Sequence, residues 1–255
     1  MIPRQVPLLE FDPSGVAVIE PWAPRSKRPI PRRGVACWFG DVVRQRTATL
    51  SPAFSVALEH GDHEVFVVEH RGHELVLFNP GVGAPLAAAA LELVIASGVT
   101  HIIGCGGAGI VVPGFDPGHV MVPTGAVRDE GTSYHYAPAG ADALPHPDAV
   151  AAIDAVLSEG GVPHDRGLTW TTDAFFRETP ARVERRRQQG CLTVEMEASA
   201  MFTVAAFRNA VYGQLLYAGD DVSAEAWDHR DWNRRTGVRE HLLDLAMDAV
   251  LRLSP

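Results

Sequence analysis

Five short segments hold residue types that handle small polar molecules. In TVEMEASAMFTVAAF, Thr193–Phe207, Glu195 and Glu197 bracket Met196 just before an almost unbroken apolar run. Burying a lone carboxylate costs several kcal/mol unless its charge is held, so these acids imply partners in the fold or a waiting ligand. AGDDVS pairs Asp220 with Asp221 at the end of an apolar stretch. Neighbouring carboxylates raise one another's pKa, which suits a general acid, although a helix cap or a solvated turn is the commoner fate of such a pair. WFGDVVR offers an anion a bare backbone at Gly40 and a guanidinium at Arg44; a tight turn with Arg44 in solvent is the plainer reading. TTDAFFRET sets Phe175 and Phe176 among polar residues, as a flat wall for a planar ligand or as core packing. AVRDEGTSYHY mixes Arg128, Asp129, Glu130 and His135 in a loop that fits a salt-bridged subunit contact at least as well as a catalytic role.

Gly104–Gly109, GCGGAG, has the glycine spacing of a dinucleotide fingerprint. The residues after it, 110–114, read as strand or turn, so no helix N-terminus follows to hold a pyrophosphate. The density of glycine is read instead as permitting close approach of backbone to ligand. FNPGVGAP, with Gly81 and Gly83, reads as a turn leading into a helix that carries Pro85 in its first turn.

The elements that must position these residues alternate along the chain. VACWFG reads as a strand, EVFVVEHRGHELVLFNPG as a hairpin turning at Arg71-Gly72, and APLAAAALELVIASG as a helix closed by Gly98. THIIGCGGAG, GHVMVPTGAV, GLTWTTD and GQLLYAGDD read as strands; PDAVAAIDAVLSEGG, the run after Met196 and the amphipathic TGVREHLLDLAMDAVLRL read as helices. Helices interleaved with strands imply an α/β sheet covered on both faces, where ligands gather at strand ends. Residues 1–34, rich in proline and arginine, suit an extended arm or a partly disordered terminus, and 35–255 a single domain.

Composition narrows the class. With 255 residues, 46% hydrophobic and 21% charged, the chain can bury a full core. A formal charge of −9 without a basic stripe argues against nucleic acid, and no stretch approaches the ~20 apolar residues of a membrane span. The three cysteines, Cys37, Cys105 and Cys191, lack metal-type spacing and read as small buried thiols, and no histidine has a partner at metal-ligand spacing. A cytoplasmic protein binding a small molecule or another copy of itself is the expectation.

Together the segments resemble the nucleoside phosphorylase family of the uridine and bacterial purine nucleoside phosphorylase type, which includes related nucleosidases. VEMEASA is the most specific, with FNPGVGAPLAAAALE, AVRDEGTSYHY and TTDAFF in the expected order from about Val35 to Ser223. The resemblance implies a three-layer α/β/α sandwich around a mixed, barrel-like central sheet, assembled as a dimer or trimer of dimers. It implies cleavage of a nucleoside's N-glycosidic bond with inorganic phosphate as co-substrate, giving free base and pentose 1-phosphate, and no metal or organic cofactor. By the same match Glu197 would bind the ribose hydroxyls, with Met196 packing on the sugar and Glu195 assisting. Gly40, Arg44 and Gly106 would hold phosphate, Phe175 would face the base, and Asp221 would be the purine-type acid that protonates it. Two phosphate arginines of the family fall at Ile103 and near Gly61, which keeps a hydrolytic nucleosidase as an alternative; the uracil-reading residues fall at Thr179 and Ala181, so Asp221 tilts the expectation toward purines, and a binding protein without turnover is a further alternative. Arg46, His60 and Arg128 are candidates to replace the missing arginines.

Overall fold

The computed structural model describes residues 6–59 and 61–254; His60 lies outside them. One nine-stranded sheet runs in the order β2-β3-β4-β1-β5-β8-β7-β6-β9. Its strands are β1 (Arg33–Cys37), β2 (Phe54–Leu58), β3 (Gly61–His70), β4 (His73–Phe78), β5 (His101–Ile110), β6 (Val120–Asp129), β7 (His164–Thr172), β8 (Cys191–Glu195) and β9 (Val211–Asp221). β9 also pairs in parallel with β5, so the half from β5 to β9 closes on itself as a barrel while β2, β3 and β4 extend from it as an open wing. The sheet is mixed, as the resemblance implies: β1 is parallel to β4 and β5, whereas β5–β8 and β6–β9 are antiparallel.

The helices are α1 (Gly40–Thr47), α2 (Ala84–Ala96), α3 (Pro147–Glu159), α4 (Pro180–Gln188), α5 (Ala198–Phe207) and α6 (Thr236–Arg252). Two core clusters show how they flank the sheet. Val43 of α1, Ile153 of α3 and Leu243 of α6 share one with Val35, Ile103 and Leu215 of the sheet; Leu91 of α2 and Phe202 of α5 share the other with Ala36, Ile102 and Tyr212. Strand neighbours such as Val35 and Ala36 go to opposite clusters because side chains alternate across a strand. α5 buries every residue from Ala198 to Ala205, which fits its nearly apolar sequence, and its two hydroxyls are paired, Ser199 with Glu130 and Thr203 with the Ser199 carbonyl.

Local chemistry sets several boundaries. The β3–β4 hairpin turns at Arg71 and Gly72, both at positive φ (50° and 78°), the pairing a two-residue primed turn requires. Gly98, at φ 103°, follows α2. β1 stops at Cys37, so Trp38 and Phe39 leave the sheet and Gly40 begins a helix where the pattern suggests the end of a strand. β5 continues through all of its glycines to Ile110, and no helix follows them. Residues 6–32 contain one short 3-10 turn, Pro7–Leu9, and no strand or α-helix. The three cysteines are buried, Cys37 opposite Cys105 across β1 and β5. Among the described residues no helix is long and apolar enough to cross a membrane.

Candidate functional site

A cavity of about 670 Å³ opens where β1, β5, β8 and β9 end, a volume in the range of small-molecule sites. Trp38 and Phe39 after β1, Gly106–Gly109 of β5, Val194, Glu195, Met196 and Glu197 around the β8–α5 junction, and Gln214, Tyr217, Gly219 and Asp220 of β9 line it. Phe175, Phe176 and Glu178 contribute from the segment after β7, and Trp227, His229, Trp232 and Arg239 from the loop after β9 and from α6.

The two acids of the Glu-Met-Glu segment have different duties. Glu195 is consumed by the protein: its Oε1 accepts from Thr171 Oγ1 (2.6 Å), and its Oε2 from the backbone N–H of Glu197 (2.7 Å) and Ala198 (2.6 Å). These last two are unpaired donors at the start of α5, so Glu195 caps that helix and fixes the turn that aims Glu197. Burial raises the Glu195 pKa against these hydrogen bonds, with the nearby Glu130 charge adding to the rise. Glu197 Oε1 accepts from Gly83 N at 2.6 Å, and Gly83 is the N-cap of α2, so the carboxylate also meets the positive end of that helix. Burial, then repulsion from Glu195, still drives the Glu197 pKa well above the usual carboxylate range. A buried carboxylate with remaining acceptor capacity on a cavity wall is built to receive hydroxyl donors.

Also on the cavity wall, Phe175 and Phe176 stand with ring centroids 4.1 Å apart and are largely exposed, so core packing does not explain them. Asp220 lines the cavity and accepts from Trp227 Nε1 at 2.6 Å. Glu178, also on the wall, has its pKa raised to about 7 by burial and by the Asp220 charge, with Arg182 opposing.

Asp221, which the resemblance makes the acid, is not on the cavity wall. Its carboxylate pairs with Arg230 and accepts from Ser223 N (2.7 Å), and its backbone exchanges two hydrogen bonds with Asp228. A bulge separates the two aspartates: from Ala218 to Asp221, β9 advances three residues while β5 advances two, Ala108 to Ile110. The extra residue resets the alternation, leaving Asp220 on the cavity side and sending Asp221 outward.

Gly40 and Arg44 do meet, with Arg44 Nη1 and Asn79 Nδ2 each 3.3 Å from where a Cβ on Gly40 would lie, but neither is on the cavity wall. Gly106, Phe175, Glu195, Met196 and Glu197 are on it. Arg46 is held by Asp244 (2.7 Å), and Arg128 donates to Ser133 Oγ and to the carbonyls of Ala137, Pro138 and Ala141, so the described candidates to replace the missing phosphate arginines are committed elsewhere. Among the described residues no cluster of three or more His, Cys, Asp or Glu is placed to hold a metal ion. The chain pattern singles out neither Glu178 nor Arg239: one sits in a polar turn, and the other in a helix whose charged residues read as solvent-facing. Of the Asp pair it supplies both members without choosing between them.

A family model described as the phosphorylase superfamily matches residues 35–251. Guanosine phosphorylase of Halorubrum lacusprofundi is 26% identical over 221 residues, 84% of this chain and 91% of that protein. Uridine phosphorylase of Vibrio fischeri, solved with 6-hydroxy-1-naphthoic acid, superposes with a TM-score of 0.71 at 23% identity, covering 87% of this chain and 90% of the other. AMP nucleosidase of Bacteroides thetaiotaomicron gives a TM-score of 0.69 at 20% identity, covering 87% and 88%.

Proposed function

Because the chain belongs to the phosphorylase superfamily, we propose that it cleaves the N-glycosidic bond of a purine nucleoside with inorganic phosphate, releasing free base and pentose 1-phosphate. The observation that carries this reading is Glu197, a buried carboxylate at the start of α2 that shares one cavity with the aromatic pair Phe175–Phe176 and a second carboxylate, Asp220. A carboxylate accepting from two vicinal hydroxyls is satisfied, and its charge favours the oxocarbenium character that the sugar acquires as the base departs. Met196 packs on the sugar, and Phe175 and Phe176 face the base plane.

Asp220, rather than Asp221, takes the general-acid role. It lines the cavity with Glu178, whose pKa burial and the Asp220 charge together raise to about 7. Glu178 is thereby able to carry a proton near neutrality beside Asp220, Asp220 delivers a proton to the leaving base, and the base departs neutral. Phosphate attacks the anomeric carbon from the Gly40–Arg44 side, which the Phe39 turn joins to the cavity.

The absence of arginine at Ile103 and Gly61 favours a second reading, hydrolysis with water as nucleophile. One experiment separates them: a panel of purine and pyrimidine nucleosides incubated with and without phosphate, following free base and the sugar product. Phosphate-dependent release of base with pentose 1-phosphate supports phosphorolysis. Release of free pentose without phosphate makes the protein a nucleosidase, and binding without release from any nucleoside refutes both.

A further inference from the structure

We propose that Arg239, on α6, is the oxyanion receptor of the cavity, binding a phosphoryl group supplied either by inorganic phosphate or by the ester of a nucleotide. The inference deepens the cleavage reading above and rests on it for the nature of the ligand. Among the described residues of the cavity wall Arg239 is the one arginine or lysine, set against four carboxylates, Glu178, Glu195, Glu197 and Asp220. An anion entering this cavity is drawn to that guanidinium.

Arg239 is built to wait for a ligand. It is 8% exposed, yet its fork is only partly used: Nη1 is divided between the two carboxylate oxygens of Asp41, each at 3.1 Å, the guanidinium also meets the Tyr217 hydroxyl, and Nε is buried without a hydrogen-bond partner. The Phe39 and Trp232 rings, 5.3 and 5.8 Å from the guanidinium carbon, hold it in place without using its N–H groups. A phosphoryl group with several acceptor oxygens matches the unused donors. Asp41 follows Gly40 in α1, so Arg239 touches the turn where the resemblance places phosphate, and Asp41, 38% exposed, can yield to an incoming anion. Among the other candidates, Arg44 stands beside Gly40 but off the cavity wall, Arg46 and Arg128 are committed elsewhere, and Ile103 and Gly61 have no charge to offer.

The test is ligand-dependent melting of the full-length protein with inorganic phosphate, a purine nucleoside and the matching nucleoside 5′-monophosphate, each titrated separately. The wild type is expected to melt higher with phosphate or with the monophosphate, and which of them acts identifies the source of the phosphoryl group. Arg239→Gln should raise the half-saturating concentration of that ligand about 10- to 100-fold while the nucleoside response shifts less than about threefold. Arg239→Lys should fall between, because ammonium keeps the charge without the fork. If Arg239→Gln does not fold, Asp41→Asn serves, since it releases the guanidinium and should tighten phosphoryl binding. Unchanged phosphoryl binding in Arg239→Gln, equal weakening for nucleoside and phosphoryl ligands, unchanged or weaker phosphoryl binding in Asp41→Asn, or no phosphoryl binding by the wild type would each overturn the proposal. Base release in the nucleoside panel is read separately, so loss of this assignment leaves the cleavage reading standing.

Discussion

Replacing Asp220 and Asp221 separately by asparagine divides chemistry from architecture between two adjacent residues. Asp221→Asn removes the charge facing Arg230 where the two side chains are 9% and 17% exposed. Breaking such a buried pair costs about 3–5 kcal/mol when nothing compensates. Here the new amide's carbonyl oxygen can still accept from Ser223 N, and Arg230 keeps Asp228 (3.3 Å) and the Phe115 carbonyl (2.9 Å), so the expected loss is about 1–3 kcal/mol of stability. Asp220→Asn keeps a carbonyl oxygen that can accept from the exposed Trp227 indole, and the expected stability change is under about 1 kcal/mol. Its effect falls on turnover: a positioned general acid contributes about 10²- to 10⁴-fold, equivalent to about 3–5 kcal/mol of barrier. The assay pairs urea midpoints with initial rates of base release from substrates carrying poor and activated leaving groups. Asp220→Asn should cripple the poor substrate and spare the activated one, while Asp221→Asn lowers the urea midpoint with turnover per folded molecule nearly intact. The reasoning fails if Asp221→Asn abolishes turnover at an unchanged midpoint while Asp220→Asn behaves as wild type.

Glu197→Gln should lose at least about 10²-fold in turnover yet gain stability above pH 8, since a carboxyl whose folded pKa is raised destabilises the fold once ionised; steady-state rates and melting at pH 5 and pH 9 read both effects. Glu178 follows the same sign: its folded pKa of about 7 lies above the ordinary value of 4.5, so its contribution is fully favourable below pH 4.5 and is lost as pH rises through 7. The Glu178→Gln protein should therefore show a flatter melting-versus-pH curve between pH 4.5 and 7, and a curve as steep as the wild type's would remove Glu178 from that role. Gly83→Ala places a side chain at φ 95°, where there is open space but backbone strain of about 1–3 kcal/mol. Because Gly83 N–H holds Glu197, the variant should weaken nucleoside binding more than phosphate binding, a split visible in the two KM values.

Most of the scaffold was legible because its signals are local. Arg71-Gly72 announces a primed turn, Gly98 ends a helix and Leu-Val alternation marks strands, each independent of distant partners. β8 was not, because Cys191–Glu195 is short and runs straight into the acids that dominate its reading. The candidate site divides in the same way. Glu195, Met196 and Glu197 stand out because consecutive acids before an apolar run are costly unless used, and Phe175 because it sits among polar residues. Asp220 could not be separated from Asp221, since β9 is buried on both faces and hydrophobic alternation carries no information there; the register shift opposite Gly109 exists only once β5 and β9 pair. Arg239 was hidden for a related reason: Asp41 and Trp232, which bury it, lie 198 and 7 residues away, and only folding brings them together.

The glycine run shows why a motif can point to the right place for an incomplete reason. GCGGAG invites a reading of backbone bared for a ligand, and Gly106 through Gly109 do line the cavity. The stronger constraint comes from the protein. A Cβ on Gly104 would lie 2.3 Å from the Tyr212 hydroxyl, one on Gly107 3.1 Å from the Tyr217 ring, and one on Gly109 3.0 Å from Val194. β5 pairs with β1, β8 and β9, and side chains from β8 and β9 fill the space that its own would need. The glycines therefore let the barrel close, and closure brings Tyr217, Asp220 and the β8 end carrying Glu195 to a single cavity. The run's contribution to chemistry is indirect: it sets the spacing of Glu197 and Asp220 on one cavity wall by allowing three strands to crowd one.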